Sequence, residues 1–247
     1  MSRRIIIKSH NGIGDMLFAT PSFKVIKEAY LDCHITINTN RAEVIRDNPY
    51  VDEVGGANTG LFLGYPAPDG GKLPTQHHII SDWQLICNAF DLKTEPPELR
   101  PDIYYKPKIV PRSVIAVQCD HKRNYHSKRV WPHFEALAEK EGFERIPHFD
   151  NPGYLYKLMD YLASCSGVVC AEGGISHLSA GLGGKAVVLF GGFSDPVWTG
   201  YDDHINLVSN VACKHCFNNS PCRNGFICWD SLSMDVIETI ARGNIDE

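Results

Sequence analysis

Arg4-Ile5-Ile6-Ile7-Lys8 places three consecutive isoleucines between basic residues, the pattern of a short buried strand. Gly12 and Gly14 mark a turn behind it, and Asp15 to Tyr30 carry apolar residues at Phe18, Val25, Ile26 and Ala29, so strand, tight turn and helix are predicted in that order. His34 to Thr39 alternates as a strand, Arg41 to Asp47 reads as helical, and Val51-Asp52-Glu53-Val54 reads as a third strand. The opening is therefore a β-α-β-α-β unit with a parallel sheet. Residues 55–76 hold six Gly and three Pro with no period and are predicted to be a long loop on the acceptor side of a binding cleft. A strand over His77 to Ser81 and a helix near Trp83 to Phe90 complete the first half, and the proline-spaced stretch Pro96 to Pro111 is the expected connection.

The pattern then restarts. Val114 to Val117 is a predicted strand, Pro132 to Glu141 a helix, Glu144 to Pro147 a weaker strand and Tyr154 to Ser164 a helix. Val168-Val169-Cys170, a glycine turn, a helix from about Ser176 to Leu182 and the apolar strand Ala186 to Phe190 follow. Two such halves imply an α/β protein of two Rossmann-like domains with parallel sheets facing a cleft, divided as 1–110 and 111–247.

Composition narrows the function. The 247 residues are 43% hydrophobic and 21% charged, which sets aside disordered and fibrous classes. A net charge of −5 argues against a general grip on nucleic acid or anionic lipid. Behind Met1-Ser2-Arg3-Arg4 the apolar run is too short for a signal core, and no stretch approaches the roughly 18 apolar residues of a membrane span. A cytoplasmic protein with at most peripheral membrane association is expected.

Open α/β sheets bind ligands at the carboxyl ends of their strands, where helix N-termini offer unpaired N–H groups to anions. Three segments hold that position. In Ser9-His10-Asn11-Gly12-Ile13-Gly14-Asp15, Leu17 stands where a dinucleotide fingerprint needs its third glycine, and the second strand ends in Asn38-Thr39-Asn40 without an acidic ribose ligand. NAD is therefore disfavoured. Asp15 instead lies at a strand end, either as a base for an acceptor hydroxyl, with Asn11, Gly12 and Gly14 beside it in the cleft, or as a helix cap. The second segment, Cys119 to Pro132, holds Lys122, Arg123, Lys128 and Arg129 between a strand and a helix, either a counter-charge for a diphosphate leaving group or a solvated charge run. In the third, Glu172-Gly173-Gly174-Ile175-Ser176-His177, adjacent glycines let backbone approach a phosphate closely; a plain glycine turn over a packed histidine is the alternative.

In order and placement these segments resemble glycosyltransferase family 9, the heptosyltransferase-like enzymes of GT-B type, along nearly the whole chain. Gly14-Asp15 with Thr20-Pro21, Asn48-Pro49-Tyr50-Val51-Asp52-Glu53-Val54, Glu172-Gly173-Gly174-Ile175-Ser176-His177-Leu178 and Leu189-Phe190-Gly191 carry the likeness. So does a Lys-x-Trp-Pro element, here Lys128-Arg129-Val130-Trp131-Pro132 with one extra residue unless Arg129 takes the lysine's place. The chain departs from the family in having Glu172-Gly173 for Asp-Thr, and it resembles a shortened member lacking one β-α unit between residues 141 and 167. The resemblance implies an inverting, metal-independent transfer of a sugar, with heptose the family's example, from a nucleotide diphosphate to a glycan or lipopolysaccharide-type acceptor. It implies Asp15 as general base, Lys128 with Arg123 as diphosphate contacts, and Glu172, Gly173, Gly174 and His177 as donor-site residues. An ADP-sugar donor, a glycan acceptor and no nucleic acid are the partners it implies.

Cys213, Cys216, Cys222 and Cys228 cluster in a loop among Asn218-Asn219, Pro221 and Gly225. Four thiols so spaced are expected to form a structural zinc or iron knuckle, and some members of the family are similar in carrying one; reduced thiols or disulfides are the alternatives. For the whole chain, a catalytically inactive nucleotide-sugar-binding protein of the same fold is the competing function. A Rossmann-based epimerase or dehydrogenase is a remoter one, disfavoured by the missing third glycine and the lack of a Tyr-x-x-x-Lys pair on a suitable helix.

Overall fold

A computed structural model describes residues 3–9, 12–55, 59–64, 74–121, 129–149, 153–216 and 222–245. The chain divides into two compact units, Met1–Lys106 and Pro107–Glu247, each built on its own parallel sheet.

In the first unit β1 (Arg4–Ser9), β2 (His34–Thr39), β3 (Glu53–Gly55) and β4 (Leu61–Phe62) lie in the order β3-β2-β1-β4, all parallel. Ile5, Ile7, Ile35 and Ile37 are fully enclosed, as expected of central parallel strands covered by helices. The cover comes from α1 (Ile13–Ala29) and α3 (His78–Phe90), which pack on each other; α2 (Ala42–Ile45) is a short turn. Pro21 lies inside α1 and withholds the N–H that would have met the Leu17 carbonyl. Thr20 Oγ1 donates to that carbonyl instead at 2.8 Å and itself accepts the Asp102 N–H at 2.9 Å. The Thr20-Pro21 pair is thereby built into the helix and tied to the later chain.

The predicted strand over His77 to Ser81 is instead the start of α3. His77 Nδ1 accepts the Ile79 N–H at 3.2 Å as an N-cap, and Ile79, Asp82 and Ile86 recur along one buried helical face. Helical burial at three- and four-residue spacing overrides the strand propensity of the Ile79-Ile80 pair. The predicted loop 55–76 contains β4, added beside β1; residues 56–58 and 65–73 fall outside the described residues.

The second unit holds β5 (Arg112–Val117), β6 (Phe143–Arg145), β7 (Cys165–Ala171), β8 (Ala186–Gly191) and β9 (Ile205–Val208) in the parallel order β6-β5-β7-β8-β9. Between β6 and β7 the described chain forms a single helix, α5 (Tyr154–Ser164). The remaining helices are α4 (Phe134–Ala138), α6 (Gly174–Leu182), α7 (Pro196–Thr199) and α8 (Met234–Ile245). Trp131, Phe134, Val169, Leu189, Trp229 and Ile237 share one core. Trp131 Nε1 donates to the Leu232 carbonyl at 2.8 Å, fastening the C-terminal segment over the sheet.

Gly191 ends β8 at φ +57°, and a Cβ there would lie 2.4 Å from the Trp229 ring. Gly191→Ala combines left-handed strain with overpacking and is expected to destabilise the fold by about 2–3 kcal/mol. A urea midpoint equal to that of the unmutated protein would refute this.

Candidate functional site

Each unit presents one candidate constellation at the carboxyl ends of its strands, as open parallel sheets do. In the first, β1 leads into α1, whose N-cap is Gly12 and whose third residue is Asp15. The Gly12 N–H donates to Asp15 Oδ2 at 2.5 Å, so Asp15 caps the helix from within its first turn. Capping and proton acceptance are compatible, because both use the ionised carboxylate. Gly14 lies in the same turn; Asn11 is outside the described residues.

Sequence reasoning missed what lies behind Asp15. His77, His78 and Asp82 are buried at the start of α3. The Phe18 ring, one turn beyond Asp15, stands 4.5 Å from the ring of His78. His78 Nε2 and Asp82 Oδ1 approach to 3.6 Å, yet they do not form an ion pair. Burial above all, with His77 adding, lowers the His78 imidazole to about 4, and burial above all, with the charge of Asp15 adding, raises the Asp82 carboxyl well above the ordinary carboxylate range. The imidazole is therefore neutral near pH 7, and enclosure favours the protonated form of Asp82. Only the helical spacing of His78 and Asp82 was visible beforehand, and it was masked by the strand assignment.

In the second unit the third segment forms the turn from β7 into α6. Gly173 has φ 152° and ψ −158°, a conformation that a side chain would strain, and Gly174 is the first helical residue. Ser176 Oγ donates to the Gly173 carbonyl at 2.8 Å, closing the first turn. The amides at the start of α6 therefore present a positive helix end beside flat glycine backbone, an anion cradle in form.

Glu172 and His177 are turned inward. Glu172 is 4% exposed; its carboxylate accepts from Thr199 Oγ1 at 3.1 Å and pairs with Arg129, whose guanidinium also donates to the Glu172 carbonyl at 2.8 Å. His177 Nδ1 meets the Tyr201 hydroxyl at 2.9 Å, and His177 Nε2 stands 4.0 Å from Glu172 Oε1. Burial, with Glu172 adding, raises Tyr201 far above its ordinary range, so the phenol keeps its proton and can donate it to Nδ1. With the phenol donating, the imidazole proton lies on Nε2, towards Glu172. Arg129 also stacks 5.4 Å from the centre of the Phe193 ring.

The structure therefore brings Arg129, Glu172, Gly173, Gly174 and His177 together, with Thr199 and Tyr201 as partners that the sequence pattern did not single out. Arg129-Val130-Trp131-Pro132 supplies the cation-x-Trp-Pro order. Lys128 and Arg123 lie outside the described residues.

The expected zinc or iron site at Cys213, Cys216, Cys222 and Cys228 is corrected. Among the described residues no group of three or more His, Cys, Asp or Glu could hold a metal ion, and all nine cysteines are free of disulfides. Cys228 is buried beneath Gly192, where burial above all raises its thiol and disfavours the thiolate a metal needs. The Cys222 sulfur accepts the Phe226 N–H at 3.4 Å, and the Cys216 backbone N–H is bound to the Gly192 carbonyl.

Residues 154–225, the segment holding this turn, match the model of glycosyltransferase family 9 (heptosyltransferase). Among solved structures the chain is similar to the family 9 glycosyl transferase of Veillonella parvula, at 13% identity and TM-score 0.67 over 98% of this chain and 97% of that one. It is similar to the iron-containing dodecameric glycosyltransferase TibC of enterotoxigenic E. coli, at 13% identity and TM-score 0.69 over 98% and 76%. E. coli heptosyltransferase WaaC with ADP aligns at 13% identity and TM-score 0.65 over 98% and 99%. A search of curated proteins gave no match. The fold is that of the GT-B glycosyltransferases. The resemblance to glycosyltransferase family 9 is borne out, with the matched segment in the second unit. No described helix is long and apolar enough to cross a membrane.

Two stability measurements check these networks. Arg129→Met leaves the enclosed Glu172 carboxylate without its cation and is expected to cost about 3 kcal/mol in urea unfolding; a loss below about 1 kcal/mol would contradict the pairing. His78 is neutral in the fold but takes a proton near pH 6.5 when unfolded, so its contribution is complete above about 6.5 and is lost as pH falls towards about 4. The stability advantage of the unmutated protein over His78→Gln should shrink across that window by about 3 kcal/mol. A constant difference would refute the assignment.

Proposed function

We propose that the chain transfers a sugar from a nucleotide diphosphate donor to a glycan hydroxyl by a single inverting displacement. The observation that carries this reading is the glycine-opened start of α6 at the carboxyl end of β7, inside the segment that matches family 9. A diphosphate laid along Gly173 and Gly174 meets backbone N–H groups and the positive end of a nine-residue helix. Arg129 stands at the same turn, and Lys128 and Arg123 belong to the same cationic segment. Glu172 serves this reading as the support that holds Arg129, and His177 as the buried post beneath the turn.

The acceptor oxygen forms the new bond to the anomeric carbon while the bond from that carbon to the diphosphate oxygen breaks. The hydroxyl proton passes to Asp15, and the electron pair leaves with the diphosphate, whose growing charge is met by the helix end and the cations. An ADP-linked heptose is the first donor to test, since the solved relatives include WaaC with ADP and TibC with ADP-D-beta-D-heptose. We take the first unit as acceptor side and the second as donor side. A binding protein without turnover is the second reading, favoured by Glu172-Gly173 standing where the family has Asp-Thr and by the single described helix between β6 and β7.

Asp15→Asn keeps an oxygen for the helix cap but removes the base. Turnover with ADP-heptose is expected to fall by about 10²- to 10⁴-fold, while ADP affinity by calorimetry stays within about twofold. Equal turnover in protein and variant would sink the role of Asp15. ADP-heptose bound by the unmutated protein without hydrolysis or transfer would move the assignment to the binding protein.

A further inference from the structure

Just past the carboxyl end of β8, two enclosed polar atoms have no hydrogen-bond partner among the described residues. They are Ser194 Oγ, on a residue 2% exposed, and His215 Nε2. Both residues flank Asp195: Ser194 precedes it in the chain, and His215 Nδ1 lies 3.0 Å from Asp195 Oδ2. Enclosed polar groups are nearly always paired, so two orphans beside one carboxylate mark a place where a bound molecule supplies the partner.

Asp195 fixes the imidazole. Its Oδ1 accepts the Val197 N–H at 3.0 Å as the N-cap of α7, and its Oδ2 faces His215. A carboxylate only accepts, so the proton between the two sits on Nδ1, and Nε2 of the neutral ring is left as an acceptor. The backbone holds the ring in place as well. His215 has φ +59°, a left-handed conformation that non-glycine residues keep only where their surroundings impose it, and the neighbouring Cys216 N–H is bound to the Gly192 carbonyl at 3.1 Å. The buried Trp198 ring lies 6.4 Å from the imidazole, centre to centre.

These groups stand beside the glycine turn. β7 and β8 are paired parallel strands, so their carboxyl ends emerge about 4.8 Å apart. Phe193, immediately before Ser194, packs against the Arg129 guanidinium, and Thr199 at the far end of α7 donates to Glu172. A ribose or sugar attached to a diphosphate on Gly173 and Gly174 has the ends of β5 and β8 as its neighbours in the sheet, and the β8 end carries the unpartnered groups. The chemistry selects between parts of the donor. An ionised diphosphate has no proton to give an acceptor nitrogen, whereas a sugar hydroxyl has one, and a serine hydroxyl can meet another in either direction. We propose that Ser194 and His215 form a hydroxyl-binding subsite for the nucleotide sugar, with Nε2 accepting from one hydroxyl and Ser194 Oγ pairing with a second. The proposal rests on the reading of the α6 start as the diphosphate cradle, and it adds the groups that recognise what the diphosphate carries.

Ser194→Ala removes a hydroxyl with no hydrogen bond to the described chain, so its urea midpoint should not fall. Its affinity for the donor should nevertheless drop about fivefold, the effect of one neutral hydrogen bond. His215→Phe keeps a ring beside Trp198 and should lose a similar factor, part of which His215→Gln restores. Calorimetry on the full chain with ADP, dideoxy-ADP and ADP-heptose identifies the hydroxyls. If they belong to the ribose, ADP and ADP-heptose both bind the variants more weakly, and dideoxy-ADP, which lacks the ribose hydroxyls, binds every protein alike. If they belong to the transferred sugar, only ADP-heptose binds more weakly. Ser194→Ala with unchanged affinity for both ADP and ADP-heptose overturns the proposal, and it decides alone if the His215 variants do not fold. An equal loss for dideoxy-ADP and ADP overturns it too, because the contact is then not to a hydroxyl. Weakened variants of a protein that binds ADP-heptose without transfer would defeat the proposed function and leave the subsite standing. Transfer with unweakened variants would do the reverse, and an unmutated protein that binds neither ADP nor ADP-heptose would defeat both.

Discussion

A carboxylate enclosed as fully as Glu172 needs a cation and hydrogen bonds, or the fold carries several kcal/mol of uncompensated desolvation. Arg129 and Thr199 answer it, and in doing so they join three separate stretches of the second unit at one point. Arg129 is two residues from Trp131, which is pinned to the Leu232 carbonyl; Thr199 ends α7; and Glu172 itself precedes the glycine turn. The backbone of that turn is therefore fixed from behind. Amides held in place before a phosphate arrives cost no reorganisation when charge develops on it, which is what makes such donors effective. Tyr201 and His177 add a second support from beneath, since their contact lies next to the same carboxylate.

The first unit solves a related problem with neutral groups. His78 and Asp82 are buried without becoming an ion pair, because enclosure lowers the imidazole to about 4 and pushes the carboxyl up, towards its protonated form. Asp15 lies at a helix start that favours anions, with a backbone N–H on one oxygen. The proline after Thr20 is accommodated in the same helix because the Thr20 hydroxyl replaces the missing donor. A stable helix start and a poised carboxylate are thus products of the same first turn.

Much of this could be read from the chain before folding. The runs Arg4 to Lys8 and Ala186 to Phe190 are strands because parallel strands buried on both faces read as unbroken apolar runs, and His34 to Thr39 and Tyr154 to Ser164 have the predicted bounds. The glycine turn was visible because Gly173-Gly174 between an apolar strand and an apolar helix has few other uses. His77 to Ser81 misled because two isoleucines in five residues suit a strand as well as a helix, and only the burial of Asp82 and Ile86 beyond them settles the period. The cysteine loop misled for a different reason. Spacing brings thiols close along the chain but does not aim them, and Cys228 is directed into the core. Thr199 and Tyr201 could not have been singled out, since a residue placed by its partners in space carries no local signal.

The resemblance to family 9 fails locally at Glu172-Gly173, where relatives have Asp-Thr, and the two changes belong together. With φ at 152°, position 173 excludes a β-branched side chain, so a threonine there would force a different path into α6. On the present path Glu172 begins the turn from inside the unit, and its additional methylene spans the distance to both Thr199 and Arg129. An aspartate on that path would reach less far and leave one of them poorly paired, while a threonine would move the path itself. Neither change is neutral alone; together they give up the threonine hydroxyl and lengthen the carboxylate arm that reaches Thr199 and Arg129.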